Sequence, residues 1–413
     1  MLKQACAALL LLSASGTLQA ESAFPSTYTP LISAPTLLRN ATLLTGEGQR
    51  LEQTDLLLEN GRIAWVGNGD VPPGTREIDA SGRWITPGLI DVHSHLGVYP
   101  SPSVDAHQDG NEMSDPVTAN IWAEHSIWPQ DPGFGKALAG GVTALQILPG
   151  SANLFGGRGV TLKNVYSTSY QGMKFPAAPH GLKMACGENP KRVYGQRNKL
   201  PSTRMGNVAH YRAEWIAAQD YIDRWASYEA QLAAGDEEAT APLRDLKLET
   251  LAGVLQGEII VHMHCYRADE MMTILALAEE FEYRIGTFHH AVEAYKIADE
   301  LAQQQVCGAL WADWWGFKME AYDGIQENIA LVDRPPGGCA IVHSDSPEGI
   351  QRLNQEATPG KMADVVVWSD NPFSIYSKAD LVFIDGALLY DRKDPARQPV
   401  SDFELGQLQE VQP

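Results

Sequence analysis

The chain runs to 413 residues, 44% hydrophobic and 20% charged, with no low-complexity tract. That is too long for one small domain and long enough to bury a large core. Its 31 basic residues against 51 acidic ones leave a net charge of −20, which argues against nucleic-acid or anionic-membrane binding, since both need a basic face.

The first twenty residues read as a signal peptide. Lys3 gives a short positive start, Ala5 to Leu12 is an apolar run too short to span a bilayer, and Leu18-Gln-Ala20 is a small-residue cleavage site before Glu21. No later stretch is long and apolar enough to cross a membrane, so the mature protein is expected to be periplasmic or secreted. Cleavage leaves four cysteines, Cys186, Cys265, Cys307 and Cys339, scattered and without a Cys-x-x-Cys. They form no thiolate metal site, and an oxidising compartment permits disulfides that spacing alone does not pair.

After a Ser/Pro-rich leader, from Glu21 to Pro35, come short strand-like runs at Thr36 to Leu44 and at Asp55 to Val66. The second is broken by Asn60-Gly61, a strong hairpin signal. A matching β unit closes the chain at Ala363 to Trp368 and Leu381 to Tyr390, with Asp385-Gly386 as its turn. Residues 35–84 and 359–395 are therefore expected to build one small β-sandwich from both termini.

Between them, Ile85-Thr-Pro-Gly-Leu-Ile-Asp-Val-His-Ser-His95 reads as one buried strand ending in two histidines. Side chains two apart on a strand share a face, so His93 and His95 can meet at one point, and imidazole suits zinc and its neighbours. Further strand-like runs are Gly141 to Leu148, Glu258 to His264, Tyr283 to His290, Val306 to Trp311 and Cys339 to Asp345. Helical patterns such as Ala268 to Glu282 and Glu293 to Gln305 separate them. Strands alternating with helices over residues 85–358 suit an α/β fold with a (β/α)8 barrel, whose chemistry sits at the C-terminal strand ends. His262, His264, His289, His290 and Asp345 all stand at such ends. Leu148 to Gly159 reads as a glycine-rich loop whose Arg158 is placed to meet a substrate carboxylate. It lacks the Gly-Lys-Ser/Thr ending of a phosphate loop.

With these residues in view, the chain resembles the amidohydrolase superfamily, in the imidazolonepropionase-related branch that also holds Xaa-Pro and Xaa-Arg dipeptidases. The motifs are Pro-Gly-Leu-Ile-Asp-Val-His-Ser-His95, His264-Cys-Tyr-Arg-Ala-Asp-Glu270, His290-Ala-Val-Glu293, His343-Ser-Asp345 and Gly360-Lys-Met-Ala-Asp-Val-Val-Val-Trp368. The resemblance implies a metal-bearing barrel with His93 and His95 on the more buried metal, and His264 and His290 on a second where the site is binuclear. It makes Asp345 both ligand and general base. Family spacing favours His264 over His262, and Glu293 favours His290 over His289, with His262 left open. The bridging ligand is Lys183, as a carboxylated lysine, or alternatively Glu188. Tyr266 and Arg267, just past His264, are expected to touch substrate.

The implied activity is hydrolysis of a C–N bond in a small molecule, such as a dipeptide or cyclic amide, by metal-activated hydroxide with Asp345 as base. One or two divalent ions, zinc foremost, are the expected cofactor, and a homo-oligomer is compatible with the sequence. Two rivals stand beside this reading. One is a deaminase, disfavoured because its expected Glu is replaced by Arg267 after His264, or by Cys265 after His262. The other is a catalytically impaired metal- or ligand-binding relative. Relatives carry several more helical tens of residues after the Asp345 strand, where this chain has only Ser346 to Pro359, so the last barrel helices are expected to be shortened or missing.

Overall fold

The computed structural model describes residues 24–311, 316–343 and 361–399. The expected join after Asp345 lies outside the described residues.

Five strands open the described chain: β1 (Thr36–Leu44), β2 (Arg50–Glu59), β3 (Arg62–Val66), β4 (Arg76–Asp79) and β5 (Trp84–Pro87). Asn60 and Gly61 take φ of 51° and 73° to turn β2 into β3, the left-handed pair a two-residue hairpin needs. The last three strands, β14 (Val365–Trp368), β15 (Ala379–Ile384) and β16 (Ala387–Asp391), join the first five in one eight-stranded sheet. The junction is β5 against β14, with Ile85 opposite Val367. The two termini thus share a single hydrogen-bonded sheet rather than two separate ones. One of its apolar clusters gathers Leu38, Leu56, Ile63, Ile85, Val365 and Phe383.

The stretch read as one strand is two. Pro87 ends β5, and β6 (Leu89–Ser94) starts the second sheet. Gly88 makes the changeover: a Cβ there would collide with the Thr143 hydroxyl, so only glycine lets the backbone pass this close.

The second sheet continues through β7 (Val142–Ile147), β8 (Phe155–Lys163), β9 (Gly181–Ala185), β10 (Ile260–Cys265), β11 (Ile285–His290), β12 (Cys307–Trp311) and β13 (Ala340–His343). β13 returns beside β6, so the sheet is a nearly closed eight-stranded barrel. It is mixed: β8 runs antiparallel to both neighbours, and every other ladder is parallel. The expected glycine loop is therefore partly strand, because Phe155 to Gly159 lie in β8. Gly157, at φ 117°, sits where a Cβ would strike the Ile121 carbonyl, which lets the reversed strand press against its neighbour.

The described helices are α1 (Pro132–Ala139), α2 (Glu188–Gly195), α3 (Arg204–Ala233), α4 (Leu246–Leu255), α5 (Ala268–Glu280), α6 (Ala298–Gln303) and α7 (Asn328–Asp333). They start where side chains satisfy free N–H groups: Asp131 caps α1 ahead of Pro132, Thr203 caps α3, and the Asp245 carboxylate accepts from two amides of α4. Leu182, Val261, Met263 and Ile285 turn outward into a core with Trp215 of α3, Leu251 of α4 and Ile274 of α5. Strand alternation then sends the intervening residues inward, among them Lys183, His262 and His264.

The cysteines, left unpaired by sequence reasoning, form two disulfides between adjacent barrel strands. Cys186, just past β9, bonds Cys265 at the end of β10, and Cys307 of β12 bonds Cys339 before β13.

Candidate metal centre

His93, His264, His289, His290 and His343 are buried at the C-terminal ends of β6, β10, β11 and β13, with His95 one residue past β6. His93 stands at the middle. Its ring is stacked on His343 at 4.7 Å and lies 4.9 Å from His95, 4.7 Å from His289 and 4.8 Å from His290. His264 lies 4.7 Å from His290. Lys183, 1% exposed and opposite His262 in the ladder, is buried inside this ring.

Strict alternation would send one of the neighbours His289 and His290 outward. His289 pairs with inward His264, while His290 pairs with Cys265, which belongs to the outer core. His290 escapes this by adopting φ of 67°, a left-handed conformation uncommon for a non-glycine residue and concentrated at functional sites. Both rings reach the cluster, where the sequence selected one. His343 also belongs to it and was not selected. The signal for both was present: an unusual His-His pair and a second histidine at a strand end.

Burial keeps these imidazoles neutral. It pushes His93, His264, His289 and His290 well below the usual imidazole value, and the Lys183 charge adds to the effect at each. His95 and His262 are pushed down to about 4, and His343 to about 3, by burial first and Lys183 second. Neutral imidazole is the form that binds a cation.

A divalent cation fits the donor set. His93 Nε2 and His95 Nε2 face each other at 3.3 Å, close to the ~3.3 Å edge of a tetrahedron with Zn–N bonds of about 2.0–2.1 Å. His264 Nδ1 and His290 Nδ1 are buried without a hydrogen-bond partner among the described residues, and a buried unpaired nitrogen costs roughly 1–3 kcal/mol unless something binds it. A second grouping, His93, His289 and His343, has donor atoms within 4.8 Å of one another. In it, His93 Nδ1 and His289 Nδ1 lie only 2.8 Å apart, hydrogen-bonding distance and shorter than that tetrahedral edge. These two nitrogens share a hydrogen bond, and the His93–His95 pair is the better cradle.

The remaining sequence-selected residues separate into two groups. Tyr266 is buried beside the cluster, 4.7 Å from His264 and 5.3 Å from Trp311, with Phe317 beyond. Lys318 Nζ lies 4.0 Å over the Tyr266 ring and 3.3 Å from the Glu188 carboxylate, so Glu188 pairs with a cation at the rim while Lys183 sits within the histidines. Asn189 links the two zones, its Nδ2 3.3 Å from His264 Nε2. Arg158 and Arg267 are not brought in. Arg158 pairs in register with outward Leu182, donates to Thr250 Oγ1 of α4 and stacks 4.3 Å over Trp122. Arg267 is half-exposed and paired with Asp269 at 2.9 Å. Asp345 lies outside the described residues, two positions beyond His343.

The crystal structure of an amidohydrolase from Thermotoga maritima MSB8 is similar throughout, with a TM-score of 0.78 and 32% identity over 86% of this chain and 100% of that one. The chain belongs to the amidohydrolase superfamily. This is a family of hydrolases acting on carbon–nitrogen bonds. The amidohydrolase tasK of Hapsidospora irregularis is 30% identical over 86% of this chain and 43% of its own length, so this amidohydrolase spans under half of that relative. The imidazolonepropionase of Pseudomonas entomophila (strain L48) is 45% identical over 58 residues, 13% of this chain. No family model matches the chain.

Proposed function

We propose that this amidohydrolase cleaves the C–N bond of a small amide, such as a dipeptide or cyclic amide, at a metal centre held by His93, His95, His264 and His290. The observation that carries the reading is the pair of Nε2 atoms 3.3 Å apart on His93 and His95, set beside a buried lysine. A divalent metal, zinc foremost, would supply an activated water and polarise the carbonyl.

The chain's own residues have the following work. His93 and His95 present lone pairs to one point from β6, and His264 and His290 present theirs from β10 and β11. A lysine cation is a poor neighbour for a divalent ion. Lys183, carboxylated by CO2 with loss of a proton, would instead present an anion to the metal, and its burial would shield the modification from water. Asp345 takes the proton from the attacking water and returns it to the leaving nitrogen. Tyr266, walled by Trp311 and Phe317, orients substrate at the rim. A deaminase is the weaker reading, because neither residue at the position of its acid can serve: Cys265 is held in a disulfide and Arg267 in a surface ion pair.

We read the barrel as a (β/α)8 variant with its third strand reversed, beginning at β6 rather than at residue 85, and the shared sheet, which takes in β5, as its companion domain. Two disulfides fit an oxidising compartment, which supports export after cleavage of residues 1–20. The test is elemental analysis with activity. The purified protein should hold one or two zinc-class ions per chain, and Asp345→Asn should keep them while losing turnover. Metal bound with no turnover on amide, ester or lactone panels would favour a silent binding protein; no metal, even after reconstitution, would end the reading.

A further inference from the structure

Four contacts run through the cluster in series. His262 Nδ1 lies 3.0 Å from His289 Nε2, and His289 Nδ1 lies 2.8 Å from His93 Nδ1. His93 Nε2 then lies 3.3 Å from His95 Nε2, and His95 Nδ1 lies 2.8 Å from the Leu148 carbonyl oxygen. A carbonyl only accepts, so His95 donates from Nδ1. A neutral imidazole donates from one nitrogen and accepts at the other. The end of the series therefore fixes every proton in it. His95 Nε2 accepts from His93 Nε2–H, His93 Nδ1 accepts from His289 Nδ1–H, and His289 Nε2 accepts from His262 Nδ1–H.

A cation between His93 and His95 needs lone pairs from both Nε2 atoms, so the proton between them has to leave. His95 keeps its Nδ1–H on Leu148. His93 carries its proton on Nδ1 instead and donates to His289 Nδ1. His289 then carries its proton on Nε2 and donates to His262 Nδ1. Each ring stays neutral, and the proton lost from His93 Nε2 is matched by one gained at His262 Nε2. The two hydrogen bonds through His289 survive with their direction reversed, and the one from His95 to Leu148 is unchanged.

Resting on the metal reading above, we propose that His289 and His262 are positioning residues, a reversible hydrogen-bond relay that holds His93 in the tautomer and orientation its metal requires. The three rings come from β11, β10 and β6, and all are buried or nearly so. The relay gives His289 a role distinct from that of a ligand. Outer partners of metal-bound histidines commonly contribute ten- to a hundredfold in metal affinity.

The experiment measures zinc affinity of the whole chain by competition with a chromophoric chelator, together with 15N NMR of the imidazoles. His289→Ala should bind zinc roughly ten- to a hundredfold more weakly. His289→Asn, whose carboxamide oxygen can accept in place of Nδ1, should recover most of that loss. In the wild type, zinc should move the His289 proton from Nδ1 to Nε2. Wild-type affinity in His289→Ala overturns the relay, and so does an Asn variant as weak as the Ala one, which would make His289 a ligand. Where the Ala variant does not fold, the wild-type spectrum decides: a His289 proton that stays on Nδ1 with zinc bound refutes the proposal. Failure of the wild type to bind zinc overturns the relay and the metal reading together, whereas undiminished binding by His289→Ala overturns the relay alone.

Discussion

Two lysines, Lys163 on β8 and Lys183 on β9, are each 1% exposed, on neighbouring strands of one barrel. Lys163 is surrounded by carboxylates: its Nζ lies 3.2 Å from Asp364 and 2.9 Å from Asp385. Asp385 also accepts from Tyr28 at 2.5 Å. Asp364 precedes β14 and Asp385 follows β15, so this cluster clamps barrel to shared sheet around a single cation. Lys183 instead has imidazoles around it, and its charge opposes protonation of His93, His95, His262, His264, His289, His290 and His343. A buried cation among carboxylates is a structural tie. One set among imidazoles suits the metal chemistry proposed above.

The same substitution at the two sites separates these roles most sharply. Lys183→Met should cut turnover by on the order of a thousandfold, because water activation and carbonyl polarisation are lost together. Its loss of stability should be the smaller of the two, since methionine fills the space without a charge. Lys163→Met should do the reverse. It leaves Asp364 and Asp385 buried without their cation, a change worth about 3–5 kcal/mol, while turnover per folded molecule stays near wild type. Denaturant midpoints and steady-state rates on both variants check this. Equal loss of stability with turnover retained in Lys183→Met would remove the distinction.

Acid should find the two sites unequal as well. His95 and His262 are held at about 4 in the folded chain against ~6.5 unfolded. Their folded pKa is depressed, so the unfolded chain binds protons that the folded one refuses between those values. Stability in metal-free protein is therefore complete above pH ~6.5 and falls as pH drops toward 4, by up to about 1.4 kcal/mol per pH unit for each such histidine. His262→Gln should flatten that slope in urea titrations run across this range. Lys163→Met should lower the curve most above pH ~6.5 and regain part of the loss in acid, because Asp364, already raised by burial, loses the cation that held it down.

Much of this arrangement was legible in the sequence because strand ends and hairpins have local rules. Asn60-Gly61 and Asp385-Gly386 mark turns through their own backbone preferences, and His93 and His95 share a face by alternation alone. What stayed hidden depends on neighbours that no local pattern encodes. The reversal of β8 needs Gly157 to pass the Ile121 carbonyl, and the split at Gly88 needs Thr143, 55 positions away in sequence. The inward turn of His290 is a single backbone dihedral that violates the alternation used to read it. Arg158 looked like a ligand-binding residue because its loop was read as a loop. Once it lies in a strand, its register with Leu182 sends it outward.

The smallest effect concerns Tyr28, in the stretch read as a leader. That segment is tied down: Ser26 Oγ donates to the Lys174 carbonyl at 2.6 Å, and the Thr27 amide donates to the Gln171 carbonyl at 3.0 Å. These contacts carry the Tyr28 hydroxyl to Asp385, where burial, with Asp385 beside it, pushes the phenol pKa up. The hydroxyl is a neutral third partner in the Lys163 cluster. Tyr28→Phe removes one hydrogen bond to a carboxylate and leaves the Lys163 pair intact, so it should cost about 1.5–3 kcal/mol at most, below the loss in Lys163→Met. In the double variant with Lys163→Met the two losses should not add, since the residues share Asp385 and contacting residues couple by about 0.5–3 kcal/mol. Strict additivity would mean that Tyr28 supports the N-terminal segment alone and takes no part in the Lys163 cluster.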